Sequence, residues 1–189
     1  MSKPMVRAIQ LFHRRWSVPV VGTLYASDGM RFGELLTRLG ASRDTLSETL
    51  ASLVANGVVQ HEDPGDGHQV YVLSAPGRSL GEAAVGAVGA VREAEIQQLA
   101  LKKWPMLVLV AVGRGVGRYS TLQVALPGIT PRSLTMALKD LQNARVVART
   151  IGEGYPPTTA YRLTDAGAAL FPAMERIVAC AEHLEATQE

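Results

Sequence analysis

The feature that most constrains this chain is its similarity to itself. The segment from Arg15 to Leu80 returns as the segment from Lys103 to Leu170, at an offset of about 88 residues. Trp16 matches Trp104, Arg31-Phe32 matches Arg118-Tyr119, and Leu46, Leu50 and Leu53 match Leu134, Leu138 and Leu141. Val58-Val59 then matches Val146-Val147, and Tyr71, Leu73 and Gly77 match Tyr161, Leu163 and Gly167. The offset drifts only at Gly-rich or Pro-rich places, where surface loops absorb insertions. The 189 residues are therefore read as two copies of one small domain.

Each copy carries the same local signals. Ser17 is positioned to cap a helix with Pro19 in its first turn, and Pro105 follows Trp104 in the same way, since a first-turn proline loses no intrahelical bond. A short helix is predicted from Phe32 to about Leu39, with a counterpart from Tyr119 to about Leu126. A second helix follows, capped by Ser42 in copy one and Thr130 in copy two, with leucines spaced to bury one face. The β-branched pairs at Val58 and Val146 begin strands that return through Val70 to Leu73 and Ala160 to Leu163, around the tips PGDG and IGEGYPP. Helix, turn, second helix and β-hairpin in that order describe a winged helix-turn-helix. The fold class is mainly α with small β-hairpin wings.

Ser74 to Lys102 has no breaker beyond Pro76 in its first turn and reads as one long helix. Its apolar stripe is Leu80, Ala84, Ala87, Val91, Ala94 and Leu101, with Gly86 and Gly89 expected to admit a neighbouring helix. The predicted division is residues 1–80 for copy one, 81–102 for the linking helix, and 103–189 for copy two. The last of these ends in a helix from Asp165 to about Ala186, capped by Thr164 and expected beside the linking helix or across a dimer. Hydrophobic residues at 47% with aromatics at 5% suit such closely packed helices. The apolar runs are too short and Gly-rich to span a bilayer, and the N-terminus lacks a signal-peptide layout, so a cytoplasmic protein is expected.

Several runs resemble one family. The segment GYPPTTAYRLTDAG, from Gly154 to Gly167, resembles the wing-to-helix segment of the HxlR family of winged-helix transcriptional regulators. The Trp-led helix, the RFGEL run from Arg31 to Leu35, and the LxxxLxxLxxxGVV run from Leu46 to Val59 follow in the family's order. The resemblance implies a domain of one copy's length that dimerises through terminal helices and binds palindromic operators; this chain is similar to such a dimer fused into one. Two departures stand out. Copy one lacks the Tyr-Pro-Pro wing, and no cysteine lies near the N-terminus, where many relatives sense oxidants. Copy two also has Arg145 where copy one has Gly57, a place that often takes the left-handed conformation closing a helix.

Charge separates the copies. The net charge of +2 is small, but Arg15 to Leu80 holds five Lys/Arg against seven Asp/Glu, and Lys103 to Leu170 holds eight against three. The N-terminal tail adds Lys3, Arg7 and Arg14 with no acid. A winged domain places its second helix in the major groove while basic groups hold phosphates. The DNA-binding candidates in copy one are Arg31, Arg43, Thr45 and Ser47, beside Asp44 and Glu48, which phosphates would repel. In copy two they are Arg118, Arg132, Ser133, Thr135, Lys139 and Arg149, with Met136 on the same helix. Arginine pairs bidentately with guanine, and Arg118 and Arg149 are placed for phosphates.

Other chemistries find little support. His13, His61, His68 and His183 show no metal or protease spacing, and no serine-centred elbow occurs. The run Gly113 to Gly117 lacks the Lys-Ser/Thr of a phosphate loop. Cys180, the one cysteine, has no partner for a disulfide or metal site. No enzyme activity and no cofactor are expected. The expected partner is double-stranded DNA, read mainly by copy two of a regulator, most often a repressor in such families. A protein-interaction module that lost DNA affinity, and a sensor of a small hydrophobic ligand, remain the alternatives. Both a monomeric pseudo-dimer and a homodimer fit.

Overall fold

The computed structural model describes residues 5–63, 65, 68–96, 99, 102–151 and 159–184. In copy one, α1 (Val6–Leu11) and α2 (Ser17–Ser27) precede β1 (Met30–Arg31), α3 (Phe32–Leu39), α4 (Arg43–Ala55), β2 (Val59–Glu62), β3 (Val70–Leu73) and α5 (Ala75–Glu93). Copy two repeats the plan with α6 (Lys103–Gly113), α7 (Tyr119–Ala125), α8 (Pro131–Asn143), β4 (Val147–Ile151), β5 (Thr159–Leu163) and α9 (Asp165–His183). The chain is mainly helical with small antiparallel wings, as the sequence predicts. Strand order is β1-β3-β2 in the first wing and β4-β5 in the second, where a bridge from Arg118 to Ala160 stands in the place of β1. Equivalent valines pair with equivalent leucines, Val59 with Leu73 and Val147 with Leu163. Most of PGDG and IGEGYPP, expected as hairpin tips, lies outside the described residues.

The two copies share one continuous core. Helix α6 is apolar all round, and Met106 to Ala111 are wholly buried, as a helix without a polar face must be. Leu46, Leu50 and Leu53 of α4 and Leu134, Leu138 and Leu141 of α8 are the buried stripes, each side chain contributing roughly 1.5–3 kcal/mol. Helix α9 packs on α6 within its own copy and on α5 of the other, and α1 of copy one lies against α9. At the end of α6, Arg114 bonds Glu175 through Nε and Nη2 at 2.9 Å and reaches Glu182 at 3.0 Å. Those carboxylates hold the Arg114 guanidinium above its ordinary range against the opposing effect of burial. A more exposed pair, Arg176 with Glu82 at 2.7 Å, joins α9 to α5 across the copies.

One backbone device recurs where each wing runs into the following helix. The Ser74 hydroxyl donates to the Gly57 carbonyl at 2.6 Å and accepts the Gly77 N–H at 3.1 Å. In copy two the Thr164 hydroxyl donates to the Arg145 carbonyl at 2.6 Å and accepts the Gly167 N–H at 3.1 Å. The predicted cap Thr164 thus caps α9 and ties it to the end of α8. A Cβ on Gly77 would overlap the carbonyl oxygen of Val58, and one on Gly167 that of Val146.

Three expectations need correction. The linking helix stops at Glu93 rather than running to Lys102: Glu95 is left-handed at φ 55°, and the Ile96 N–H closes onto the Val91 carbonyl at 3.1 Å. Ala94, expected on the buried stripe, is exposed beside the charged Glu93 and Glu95, so burial no longer favours another turn. Gly86 and Gly89 face open space; the close crossing of α2 and α5 falls at Gly22, whose added Cβ would touch Ala84 at 3.6 Å, and at Gly81, whose Cβ would meet Tyr25 at 2.7 Å. Ser17 does not cap α2: it is the first residue of the helix itself, and Trp16, already in the right-handed helical region at φ −89° and ψ −6°, is the cap. The Ser17 N–H bonds the Arg14 carbonyl at 3.1 Å, and its buried hydroxyl has no partner among the described residues.

Gly57 and Arg145 both take the left-handed conformation, at φ 68° and 58°. Arginine is strained there by about 1 kcal/mol relative to glycine, so Arg145→Gly should stabilise the protein by roughly 0.5–1 kcal/mol. Chemical denaturation checks this, and an unchanged or lowered midpoint would show that the exposed side chain makes compensating contacts.

Candidate nucleic-acid interface

Helix α8 starts at a well-built cap. The Thr130 hydroxyl accepts the Ser133 N–H at 3.1 Å and donates to the Ser133 hydroxyl at 2.9 Å, while Pro131 occupies the first helical position. With Leu134, Leu138 and Leu141 buried, Arg132, Thr135, Met136 and Lys139 are left exposed at i, i+3, i+4 and i+7 on one stripe. Tyr119, at the start of α7, donates to the Pro131 carbonyl at 2.8 Å and lies 3.1 Å from the Thr135 hydroxyl. The phenol therefore fixes the angle between the two helices and orients Thr135. Arg118 caps α7 and bridges to β5, whose Tyr161 pairs with Arg149 on β4. Arg118 and Arg149 thus share the wing, and an Arg149 Nη2 reaches the Thr159 hydroxyl at 3.4 Å.

Copy one has the same frame with different chemistry. Ser42 caps α4, and its hydroxyl donates to that of Thr45 at 2.8 Å. The Arg43 guanidinium lies over the Phe32 ring, 5.4 Å from its centroid, and Ser47 is exposed. Arg31 caps α3, its N–H bonded to the Glu34 carboxylate at 2.9 Å. Glu48 forms an ion pair with Arg14. Arg7 donates to the Asn56 side chain at 2.8 Å and to its carbonyl at 3.1 Å. Two of the three tail cations are thus engaged with α4, and Lys3 lies outside the described residues.

Sequence reasoning missed a groove of about 450 Å3 between the start of α6 and one side of α8. Lys102, Lys103 and Arg132 of copy two line it together with His13 and Arg15 of copy one, over a floor that includes Trp104. The Lys103 ammonium sits 4.2 Å from the Trp104 ring centroid, and burial pushes it below the usual lysine range. The repeat offset held the missing signal: Arg14 and Glu48, an ion pair in copy one, fall opposite Lys102 and Met136 in copy two, where no such pair can form.

The sequence pattern of the HxlR-like helix-turn-helix family matches residues 11–97 and matches again over 99–188. The chain belongs to the HxlR-like helix-turn-helix family. It carries that family's unit twice. Among curated proteins it is similar to an uncharacterized HTH-type transcriptional regulator of Methanothermobacter thermautotrophicus, 32% identical over 75 residues, covering 40% of this chain and 57% of that protein. The uncharacterized HTH-type transcriptional regulator YvaP of Bacillus subtilis is 36% identical over 76 residues, covering 40% and 70%. One of Synechocystis sp. is 33% identical over 72 residues, covering 38% and 53%. The chain therefore spans between 53% and 70% of these relatives' lengths, and each match is shorter than either HxlR-like copy.

Among the described residues, no group of three or more His, Cys, Asp or Glu side chains could hold a metal ion, and no helix is long and apolar enough to cross a membrane. Cys180 is half-buried on α9, and burial pushes its thiol up, away from reactivity.

Proposed function

We propose that this HxlR-like protein is a cytoplasmic, sequence-specific DNA-binding regulator, a repressor, in which copy two is the main reader. The observation that carries the reading is the exposed stripe of α8, where Arg132, Thr135, Met136 and Lys139 face outward from a firmly capped helix. Arg132 supplies a guanidinium for guanine, Thr135 a hydroxyl for bases or phosphates, Met136 an apolar contact for a thymine methyl, and Ser133 a second hydroxyl at the helix start. Lys139, Arg118 and Arg149 hold phosphates around it. Arg31, Arg43, Thr45 and Ser47 form the weaker counterpart in copy one, where Asp44 and Glu48 oppose a phosphate chain. Residues 1–80 and 103–189 act as the two half-site units of one chain, a pseudo-dimer, and the continuous core supports that arrangement.

The test is binding of the purified chain to genomic DNA fragments, followed by the recovered sequence at several salt concentrations. A pseudo-palindromic site should emerge, with log affinity falling linearly in log salt by about 0.9 per phosphate neutralised. A slope near zero would instead favour a protein-interaction module. The capture of Arg14 by Glu48 and of Arg7 by Asn56 is the observation on the side of that second reading.

A further inference from the structure

We propose that the groove between α6 and α8 is a binding site for a small organic carboxylate with a flat apolar body, and that its occupation withdraws Arg132 from DNA. Lys102, Lys103 and Arg132 of copy two line the groove, and Asp140 is the one carboxylate on its walls among the described residues. An anion seated among these side chains is attracted by each cation it approaches. Trp104, Pro105, Met136 and Ala137 add apolar surface to the lining, so the ligand needs a hydrophobic surface as well as a charge. The volume of about 450 Å3 lies in the range of small-molecule sites, roughly 300–1,000 Å3.

The duplicated frame provides an internal control. In copy one the positions of Lys102, Met136 and Arg132 are taken by Arg14, Glu48 and Asp44, and Glu48 neutralises Arg14 directly. Copy two has a thioether and a guanidinium in place of these two carboxylates while keeping the tryptophan, so the ion pair of copy one has no counterpart there. A phosphate chain would account for the cations but not for the apolar side chains lining the groove beside them, and a neutral hydrophobic ligand would account for those side chains but not for the cations. The regulatory consequence rests on copy two reading DNA; the binding itself does not. Because Arg132 stands both in the groove and on the outward stripe of α8, a bound carboxylate and a DNA base compete for it.

Calorimetric titration of the full chain with 2-naphthoate, and with the neutral 2-naphthamide, is carried out without DNA, so that its failure and a failure of DNA binding are distinguishable. Expected are one naphthoate bound per chain, affinity at least tenfold above that for the amide, and a loss of at least tenfold in Lys102→Gln. Met136→Glu, which rebuilds the ion pair of copy one, should abolish binding. The proposal is overturned by equal affinity for acid and amide, which would make the groove a plain hydrophobic site. It is equally overturned by no binding of naphthoate, or by unchanged binding in Lys102→Gln. A loss of DNA affinity in Lys102→Gln with no naphthoate bound to the wild type would assign the cations to phosphates instead.

Discussion

Alanine in place of Gly167 should destabilise the protein by roughly 3 kcal/mol, lowering its melting temperature by about 6–12 °C for a chain of this size. The added methyl group would overlap the Val146 carbonyl oxygen, an atom that cannot swing aside because it accepts the Thr164 N–H at 3.1 Å. Relief requires moving α9 away from the end of α8, and α9 also packs on α6 and α5. Gly77→Ala meets the same obstacle at the Val58 carbonyl, which accepts the Ser74 N–H at 3.0 Å, and should cost a similar amount. Gly86→Ala is the control: its Cβ points into open space on a helix, so it should stabilise by roughly 0.5–1 kcal/mol. Differential scanning calorimetry of the three variants separates these cases. A Gly167→Ala protein melting within a degree of the wild type would mean that the wing-to-helix junction is far softer than its hydrogen bonds indicate.

The second large effect concerns the two second helices. Arg132→Ala should weaken binding to a cognate operator by about 1–3 kcal/mol, roughly 5- to 150-fold, and relax the sequence preference at the base it contacts. Arg43→Ala should do less, since that guanidinium lies over Phe32 and is followed by Asp44. Arg118→Ala and Arg149→Ala should weaken all sequences alike and reduce the salt slope by roughly one each. Replacing Asp44 and Glu48 by Asn and Gln should raise non-specific affinity twice over, by removing repulsion and by releasing Arg14 from its ion pair. Binding at two salt concentrations measures all of these. Equal losses for Arg43→Ala and Arg132→Ala would end the asymmetric assignment while leaving DNA binding intact.

The two-copy architecture is legible because matched pairs such as the half-buried Trp16 with Trp104 and the buried Val58-Val59 with Val146-Val147 pack against the core. The caps Ser42, Thr130 and Thr164 were legible for a local reason: each bonds an N–H three residues on. The end of α5 was not, because a stripe of Ala and Gly carries little burial signal and its stop depends on what packs there. For the same reason the roles of Gly22 and Gly81 were misassigned to Gly86 and Gly89: close approach is a property of two helices, not of one. Individual candidates on α8 could be placed by helical spacing alone. The groove could not, since His13 and Arg15 come to line it together with Arg132 only through packing of one copy against the other.

The continuous core between the copies bears on how such a regulator responds to its own abundance. Separate subunits fall apart on dilution, and the occupancy of an operator by their dimer then rises with the square of subunit concentration at low levels. On the proposed pseudo-dimer reading, two halves joined by peptide bonds do not dissociate, and operator occupancy should follow copy number in simple proportion, which a titration of occupancy against protein concentration checks. A further freedom comes with the fusion. In a homodimer every substitution appears twice, and a change that suits one half-site is imposed on the other. In a fused pair each half can drift alone, and if both copies read DNA as proposed, an operator with unlike arms becomes accessible to a single gene product.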